Sequence, residues 1–233
     1  MAHGTVHDEH HLRLAELIER HCTAAWKKRL RGQNEVLSFP KGGRIYSAGE
    51  QAERMFMVHH GRVKVIARIG QGPDRIVRLV TNGEVLGHRA IGDAPMYTAS
   101  AVALTGTTVN SIPMGLFLEA LRSNPAFTYH FLLFFAEEMR RLDRHMRDMM
   151  TMDVTQRVVK VLSLNMETFG FDDKVRSKLA FTLSRQDIAN AAGTTYESVI
   201  RTLADLQWRR IIGLEGKEIH IRNKAGMMRL LER

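Results

Sequence analysis

Apolar and polar positions fall into three textures along the chain. From residue 35 to about 113, short β-prone runs at 36–39, 55–58, 63–66, 76–80, 98–103 and 107–112 alternate with turn clusters. The turns are Pro40-Lys41-Gly42-Gly43, Ala48-Gly49-Glu50, His60-Gly61, Gly70-Gln71-Gly72-Pro73 and Asn82-Gly83. Strands so short and so regularly punctuated predict a β-roll, barrel or sandwich. Ahead of them, Leu14, Leu17 and Ile18 stand at helical spacing and predict a short helix over 12–30. Behind them the period lengthens. Asn124-Pro125 suits the start of a long helix, because a proline in the first turn gives up no hydrogen bond. Phe131, Phe135, Met139, Leu142, Met146 and Met149 then recur at spacings of three or four, with Arg140, Arg141, Asp143, Arg144 and Arg147 off that line. A narrow apolar seam on an otherwise charged helix predicts a partner helix, and a second copy of the chain is the favoured partner. Packing on the chain's own β domain is the other way to cover it.

The third texture follows a hinge at 151–155. Residues 154–169 predict a helix with Val154, Val158, Val161 and Leu162 on one side and Gly170 closing it. Then comes Ser184-Arg185-Gln186-Asp187-Ile188-Ala189-Asn190-Ala191-Ala192-Gly193-Thr194-Thr195. Ser184 and Asp187 form a capping pattern that starts a helix. Ile188, Ala189 and Ala192 form its apolar side, and Ala189 is small enough to let a second helix cross closely. Gly193 supplies the permissive backbone of a tight turn. Thr195 can cap a second helix with Val199, Leu203 and Leu206 on its inner face. Two short helices across a glycine turn predict a helix-turn-helix. Residues 211–214 and 217–221 around Glu215-Gly216 add a hairpin, or wing, with Lys217 near its tip.

The outer face of the second helix carries the chemistry. It presents Tyr196, Glu197, Ile200 and Arg201, with Glu197 and Arg201 four apart and so on one side. An arginine there can fork onto guanine O6 and N7, and a carboxylate can accept from cytosine N4. An ordinary solvated ion pair is the competing reading of the same spacing. The surface expected to meet DNA comprises Ser184, Arg185, Thr195, Tyr196, Glu197, Ser198, Ile200, Arg201 and Lys217.

Composition sharpens this picture only in part. The 233 residues are 44% apolar and 25% charged, enough for a core in each half, and the formal net charge of +9 favours a polyanion partner. Residues 151–233 hold 14 Lys+Arg against 10 Asp+Glu, a modest excess of the right sign for a phosphate backbone. The single cysteine, Cys22, excludes an intramolecular disulfide and a cysteine cluster for zinc or iron–sulfur, and fits a cytoplasmic protein. No signal segment or apolar run of membrane-spanning length is seen, so no membrane association is expected. His7, His10 and His11 could ligate a metal, but a solvated end is the simpler reading, and no metal is expected. With no glycine-rich phosphate loop, metal-ligand helix motif or nucleophile elbow, catalysis is not expected.

A β-roll, a long seam-bearing helix and a winged helix-turn-helix with Ser-Arg-Gln-Asp-Ile-Ala and Glu-x-x-x-Arg resemble the CRP/FNR family of bacterial transcription regulators. The resemblance runs from about residue 30 to 222 and is specific in the helix-turn-helix and in Gly83-Glu84-Val85-Leu86-Gly87. It implies an α+β chain in three parts. These are an N-terminal helix and β-roll of cyclic-nucleotide-binding, jelly-roll type over 1–122, a dimerisation helix over 123–151, and a DNA-binding domain over 152–233. It also implies a homodimer on palindromic double-stranded DNA, with RNA polymerase as a further partner and a TGA-like half-site core for Glu197 and Arg201. Tyr196 stands where some members carry arginine or valine, so the outer bases are expected to differ.

The sensory half departs from the family pattern. Cyclic-nucleotide binders carry a glutamate directly after the glycine matching Gly87 and an Arg-Ser/Thr pair further on; this chain has His88 and Tyr97-Thr98. Without both anchors, cyclic AMP and cyclic GMP lose their charge-assisted contacts and are not expected to bind. An effector pocket, if one exists, is expected around Gly87, His88, Tyr97 and Thr98, with the signal itself unidentified. Haem on His59, His60 or His88 is a minor alternative cofactor. Met146, Met149, Met150 and Met152 read as adaptable packing near the hinge, with a redox-sensitive surface as the lesser alternative. A protein-interaction module that merely borrows the winged helix is the competing function.

Overall fold

The structure is a computed structural model and describes residues 14–68 and 70–232. His7, His10 and His11 lie outside the described residues. The helix predicted over 12–30 is two: α1, Leu14–His21, and α2, Ala24–Gly32. Thr23 separates them, because its extended backbone and its hydroxyl, which accepts from Trp26 N, begin a new helix.

Eight strands follow. They are β1 Glu35–Phe39, β2 Arg44–Tyr46, β3 Arg54–His60, β4 Val63–Arg68, β5 Asp74–Val80, β6 Val85–Leu86, β7 Ser100–Ala103 and β8 Thr107–Pro113. One sheet runs β1-β8-β3-β6 and the other β2-β7-β4-β5. In the first, β8 is the antiparallel partner of both β1, from Glu35↔Ser111 to Phe39↔Thr107, and β3. Met55, Val58, Val63, Val80 and Val109 are buried, and along β4 burial alternates, with Val63 and Val65 in the core and Lys64 and Ile66 less enclosed. β2 and β6 were not predicted; each is too short to show a period of two.

After the roll come α3, Met114–Ser123, and the long α4, Pro125–Thr151. α3 is also absent from the sequence reading, because Pro113 joins it directly to β8 with no turn cluster between them. In the first part of α4, Phe127, Phe131, Phe134 and Glu138 are buried. Phe117 of α3 meets Phe127 and Phe131 edge-on, at centroid distances of 5.8 and 5.1 Å.

This geometry divides the expected seam. Phe131 faces its own unit, so it cannot meet a partner helix. The exposed apolar positions are Tyr129, Leu132, Leu133, Met139, Leu142, Met146 and Met150. Leu132, Met139 and Met146 stand seven apart, and Phe135, Leu142 and Met149 occupy the intervening heptad positions. An exposed apolar line at heptad spacing therefore runs through Leu132, Met139, Leu142 and Met146, and Phe131 is not on it. The step from 135 to 139 is four, so a heptad needs a step of three before it, which Leu132 supplies and Phe131 does not. Phe135 and Met149 are only partly exposed.

The rest of the chain is α5 Val154–Phe169, α6 Arg185–Ala192, α7 Tyr196–Trp208, β9 Ile212–Glu215, β10 Glu218–Ile221 and α8 Lys224–Arg229. Asp153 and Gln156 form a full capping box at the start of α5, and Gly170 closes it by donating its N–H to Met166 O. Val158, Val161 and Leu162 are buried as expected, but Val154, in the first turn, is exposed. The described residues cluster into two compact units, one of those before 65 together with 80–141, the other of those within 65–79 together with those after 141. Among the described residues, no helix is long and apolar enough to cross a membrane.

Candidate nucleic-acid interface

α6 begins as its sequence demands. Ser184 Oγ accepts from Asp187 N at 3.0 Å and donates to Asp187 Oδ2 at 2.8 Å. Such a cap stabilises a helix by about 1 kcal/mol. α6 ends at Gly193, whose φ of 61° and ψ of 41° are left-handed, and whose N–H returns to Ala189 O. A Cβ at Gly193 would lie 2.5 Å from Met149 Cε, the movable end of a flexible side chain, so it is the left-handed backbone that favours glycine. Thr195 then caps α7 by accepting from Ser198 N at 3.2 Å. Ile188, Ala189 and Ala192 of α6 and Val199, Leu203 and Leu206 of α7 are all buried, as expected. The apolar faces of the two helices thus set the angle at which α7 leaves the turn.

The opposite side of α7 is open. Tyr196, Glu197, Ile200 and Arg201 are exposed and Ser198 is partly so. Arg201 Nη2 donates to Ser198 Oγ at 3.3 Å. Among the described residues Glu197 and Arg201 form no ion pair with each other, so the solvated-pair reading of their spacing does not describe this helix. Both side chains project from the first two turns of α7, where the helix dipole is positive and suited to an approaching phosphate chain.

Arg185 is placed differently from the others. It is partly buried, and its Nη1 donates to Lys217 O at 3.3 Å. Burial holds its guanidinium below the ordinary arginine value. It braces the wing against α6, while Lys217 stands exposed at the tip of the β9–β10 turn. Two further basic residues, in the run Trp208-Arg209-Arg210, carry no role in the sequence reading. Arg209 and Arg210 close α7, and Arg210 has a φ of 57°, the only positive-φ residue other than glycine among those described. Trp208 beside them is 83% exposed.

In the roll, the four residues expected around an effector pocket do not converge on one space. Gly87 is left-handed at φ 83°, with Arg54 O and Tyr97 Cε1 each 3.2 Å from where its Cβ would stand. Tyr97 is buried, stacks on Tyr46 at 4.1 Å and donates its hydroxyl to Arg54 O at 2.6 Å. The tyrosine ring thus fills the space beside the glycine. Thr98 is exposed.

His88 turns away from that space toward α4. It is 2% exposed, its ring meets Phe134 and Phe135 edge-on, and its Nε2 lies 3.6 Å from Glu138 Oε2. Arg89 and Arg141 also reach Glu138, at 3.5 and 3.3 Å. Glu138 was missed in the sequence; its signal was its place on the 127-131-134-138 stripe. His59 and His60 are exposed on β3, so the three histidines weighed for haem do not form one site.

Two capped helices about a left-handed glycine, followed by a β wing, define a winged helix-turn-helix DNA-binding unit. In one chain with a β-roll and a long helix, it defines a class of DNA-binding transcription regulators. Comparison with known proteins gives the same class. A cyclic nucleotide-binding domain model matches residues 36–124 and a Crp-like helix-turn-helix domain model matches 156–230. The CRP-like cAMP-activated global transcriptional regulator of Mycobacterium tuberculosis is 26% identical over 212 residues, covering 91% of this chain and 93% of the relative. The global nitrogen regulator of Synechococcus elongatus is 25% identical, covering 83% and 88%. The structure of FixK2 from Bradyrhizobium japonicum superposes with a TM-score of 0.74 at 25% identity, over 84% of this chain and 96% of that one. The chain belongs to the CRP/FNR family of DNA-binding transcription regulators.

Proposed function

We propose that the protein is a homodimeric, sequence-specific regulator that reads a palindromic site through two copies of α7. In each half-site Arg201 forks onto guanine and Glu197 accepts from cytosine, within a TGA-like core. The observation that carries this reading is the open outer face of α7, on which Glu197 and Arg201 are held out without engaging each other. Ser184, Thr195, Tyr196, Ser198, Ile200 and Lys217 flank that face, and Arg185 positions the wing. Residues 123–151 supply the dimer helix through Leu132, Phe135, Met139, Leu142, Met146 and Met149. The partners are double-stranded DNA, a second copy and RNA polymerase, and the setting is the cytoplasm.

The roll answers to a signal other than cyclic AMP or cyclic GMP. Tyr97 fills the space beside Gly87, and His88 is committed to Glu138 of α4. The relative that is cAMP-activated therefore shares the architecture but does not supply the ligand. A shift of α4 would change the separation of the two recognition helices, which must match one turn of DNA.

The test is selection of bound sequences from a random DNA pool, followed by binding to the selected site at several salt concentrations. A palindrome with TGA-like half-sites and steep salt dependence is expected. Binding without sequence preference overturns the reading and favours a protein-interaction role. Calorimetry with cyclic AMP is expected to show no heat of binding, and saturable micromolar binding refutes the assignment of the roll.

A further inference from the structure

We propose that the wing is also a divalent-metal site, with Glu215, Glu218 and His220 as ligands for a zinc-class cation. Register brings the three together. Glu215 and Glu218 are directly opposite across the β9–β10 hairpin. His220, two residues beyond Glu218 on the same strand face, lies diagonally from Glu215 and opposite Gly213, which has no side chain to intervene. Ile219 and Ile221 point the other way, into the core. One carboxylate oxygen of each glutamate and one ring nitrogen of His220 lie within 4.8 Å of one another.

The histidine is built as a ligand. It is 7% exposed, its Nδ1 is 3.3 Å from Ser177 Oγ, and its Nε2, 3.5 Å from Glu215 Oε2, has no hydrogen-bond partner. A hydrogen bond at Nδ1 fixes the ring and leaves the other nitrogen to bind metal, which is the usual outer-shell support of a ligating imidazole. One imidazole and two carboxylates are a donor set that zinc accepts, with water completing a tetrahedron. Ligand atoms in such a site sit about 3.3 Å apart, a closure that rotation of two glutamates at a hairpin end can supply.

A cation also explains the charge pattern. Like charges directly opposite each other weaken a strand pair, and here they sit beside Lys217 on the element that has to approach phosphates. Lys178 Nζ, 3.0 Å from Glu218 Oε1 and 3.6 Å from Asp172, partly neutralises them, and the Arg222 guanidinium lies over Gly213. A metal would complete the neutralisation and strengthen DNA binding, a consequence that rests on the proposed DNA-binding reading. Metal binding itself does not rest on it, so the two fail separately.

The test is calorimetric titration of zinc chloride, without DNA, into full-length chelator-stripped protein in which His3, His7, His10 and His11 are alanine. One zinc per chain is expected. E215Q/E218Q should weaken binding at least tenfold, H220Q should do the same, and K178A should tighten it by freeing Glu218. Cobalt should give the visible absorption band of a tetrahedral site, lost in the same variants. Should H220Q fail to fold by circular dichroism, E215Q/E218Q on the exposed turn carries the test. No saturable binding, or binding unchanged by E215Q/E218Q, overturns the proposal.

Discussion

Truncation of Arg201 separates base reading from phosphate binding. Arg201 is exposed, and its hydrogen bond in the free chain is the 3.3 Å contact with Ser198 Oγ. Arg201→Ala should therefore change folding stability by no more than about 0.5 kcal/mol. On DNA, one bidentate arginine–guanine pair is worth about 1–3 kcal/mol. Two half-sites double that to about 2–6 kcal/mol for a dimer on its palindrome, or roughly 30-fold to more than 10⁴-fold in affinity. Arg201→Lys keeps the charge but not the planar fork, so it should lose most of the discrimination while retaining non-specific binding. The assay is fluorescence anisotropy on the selected palindrome and on copies with the half-site guanine replaced, each at several salt concentrations. If Arg201 reads a base, the salt slope stays nearly constant and the substituted and native sites become equally weak. If it binds phosphate, the slope falls by about 0.9 per protomer and affinity drops equally on every sequence. That second result would refute the assignment of the reading face.

Three other perturbations have defined outcomes. Gly193→Ala should destabilise the second unit by about 1 kcal/mol, since the left-handed backbone penalises a Cβ and Met149 must move, whereas Arg210→Gly, at φ 57°, should stabilise it by about 0.5–1 kcal/mol; urea melts that shift in the same direction for both would contradict the strain argument. Leu132→Glu with Met139→Glu should turn the proposed dimer into a monomer in sedimentation, while Phe131→Ala should lower stability by about 3–5 kcal/mol and leave that dimer associated; dissociation by Phe131→Ala alone would place Phe131 in the seam. Burial pushes the Cys22 thiol up to about 11, so little of it is thiolate below that pH; its alkylation at pH 8 should run about a hundredfold slower than that of an exposed cysteine, and an ordinary rate in the folded protein would place the thiol at the surface.

The DNA-binding half was legible because its signals are local. Ser184, Gly193 and Thr195 each act within four residues of themselves, so a cap, a turn and a second cap could be read in order, and the buried faces of α6 and α7 follow from their spacing alone. The apolar stripe of α4 was legible in period but not in phase. Periodicity shows that a helix has an apolar stripe, whereas Phe131 and Leu132 differ only in which of two surfaces needs covering, and that depends on α3 and the roll. Arg210 carried no signal because left-handed backbone is expected at glycine, and nothing in Trp208-Arg209-Arg210 marks the residue that adopts it. The wing cluster was hidden for a related reason. Glu215, Glu218 and His220 meet only through cross-strand register, which contiguous motif spacing does not encode.

The sensory half shows the limit of reading by departure. His88 and Tyr97 stand out in the sequence as departures from the pattern the resemblance implies, but a departure does not say what the new residues do. Their roles arise from partners distant in the chain. Tyr97 needs Tyr46 to stack on and Arg54 O to receive its hydroxyl, and neither contact is sequence-local. His88 needs Glu138, itself approached by Arg89 and Arg141. A carboxylate 5% exposed is tolerable only when charged and polar neighbours replace the water it lost. His88, Arg89, Glu138 and Arg141 therefore form one interdependent cluster, in which two members come from the turn after Gly87 and two from α4. A change in that turn alters the neighbours of a buried charge on the long helix, where electrostatic contacts are stronger than at the surface. The turn after Gly87 is thus joined directly to the long helix through one shared buried charge.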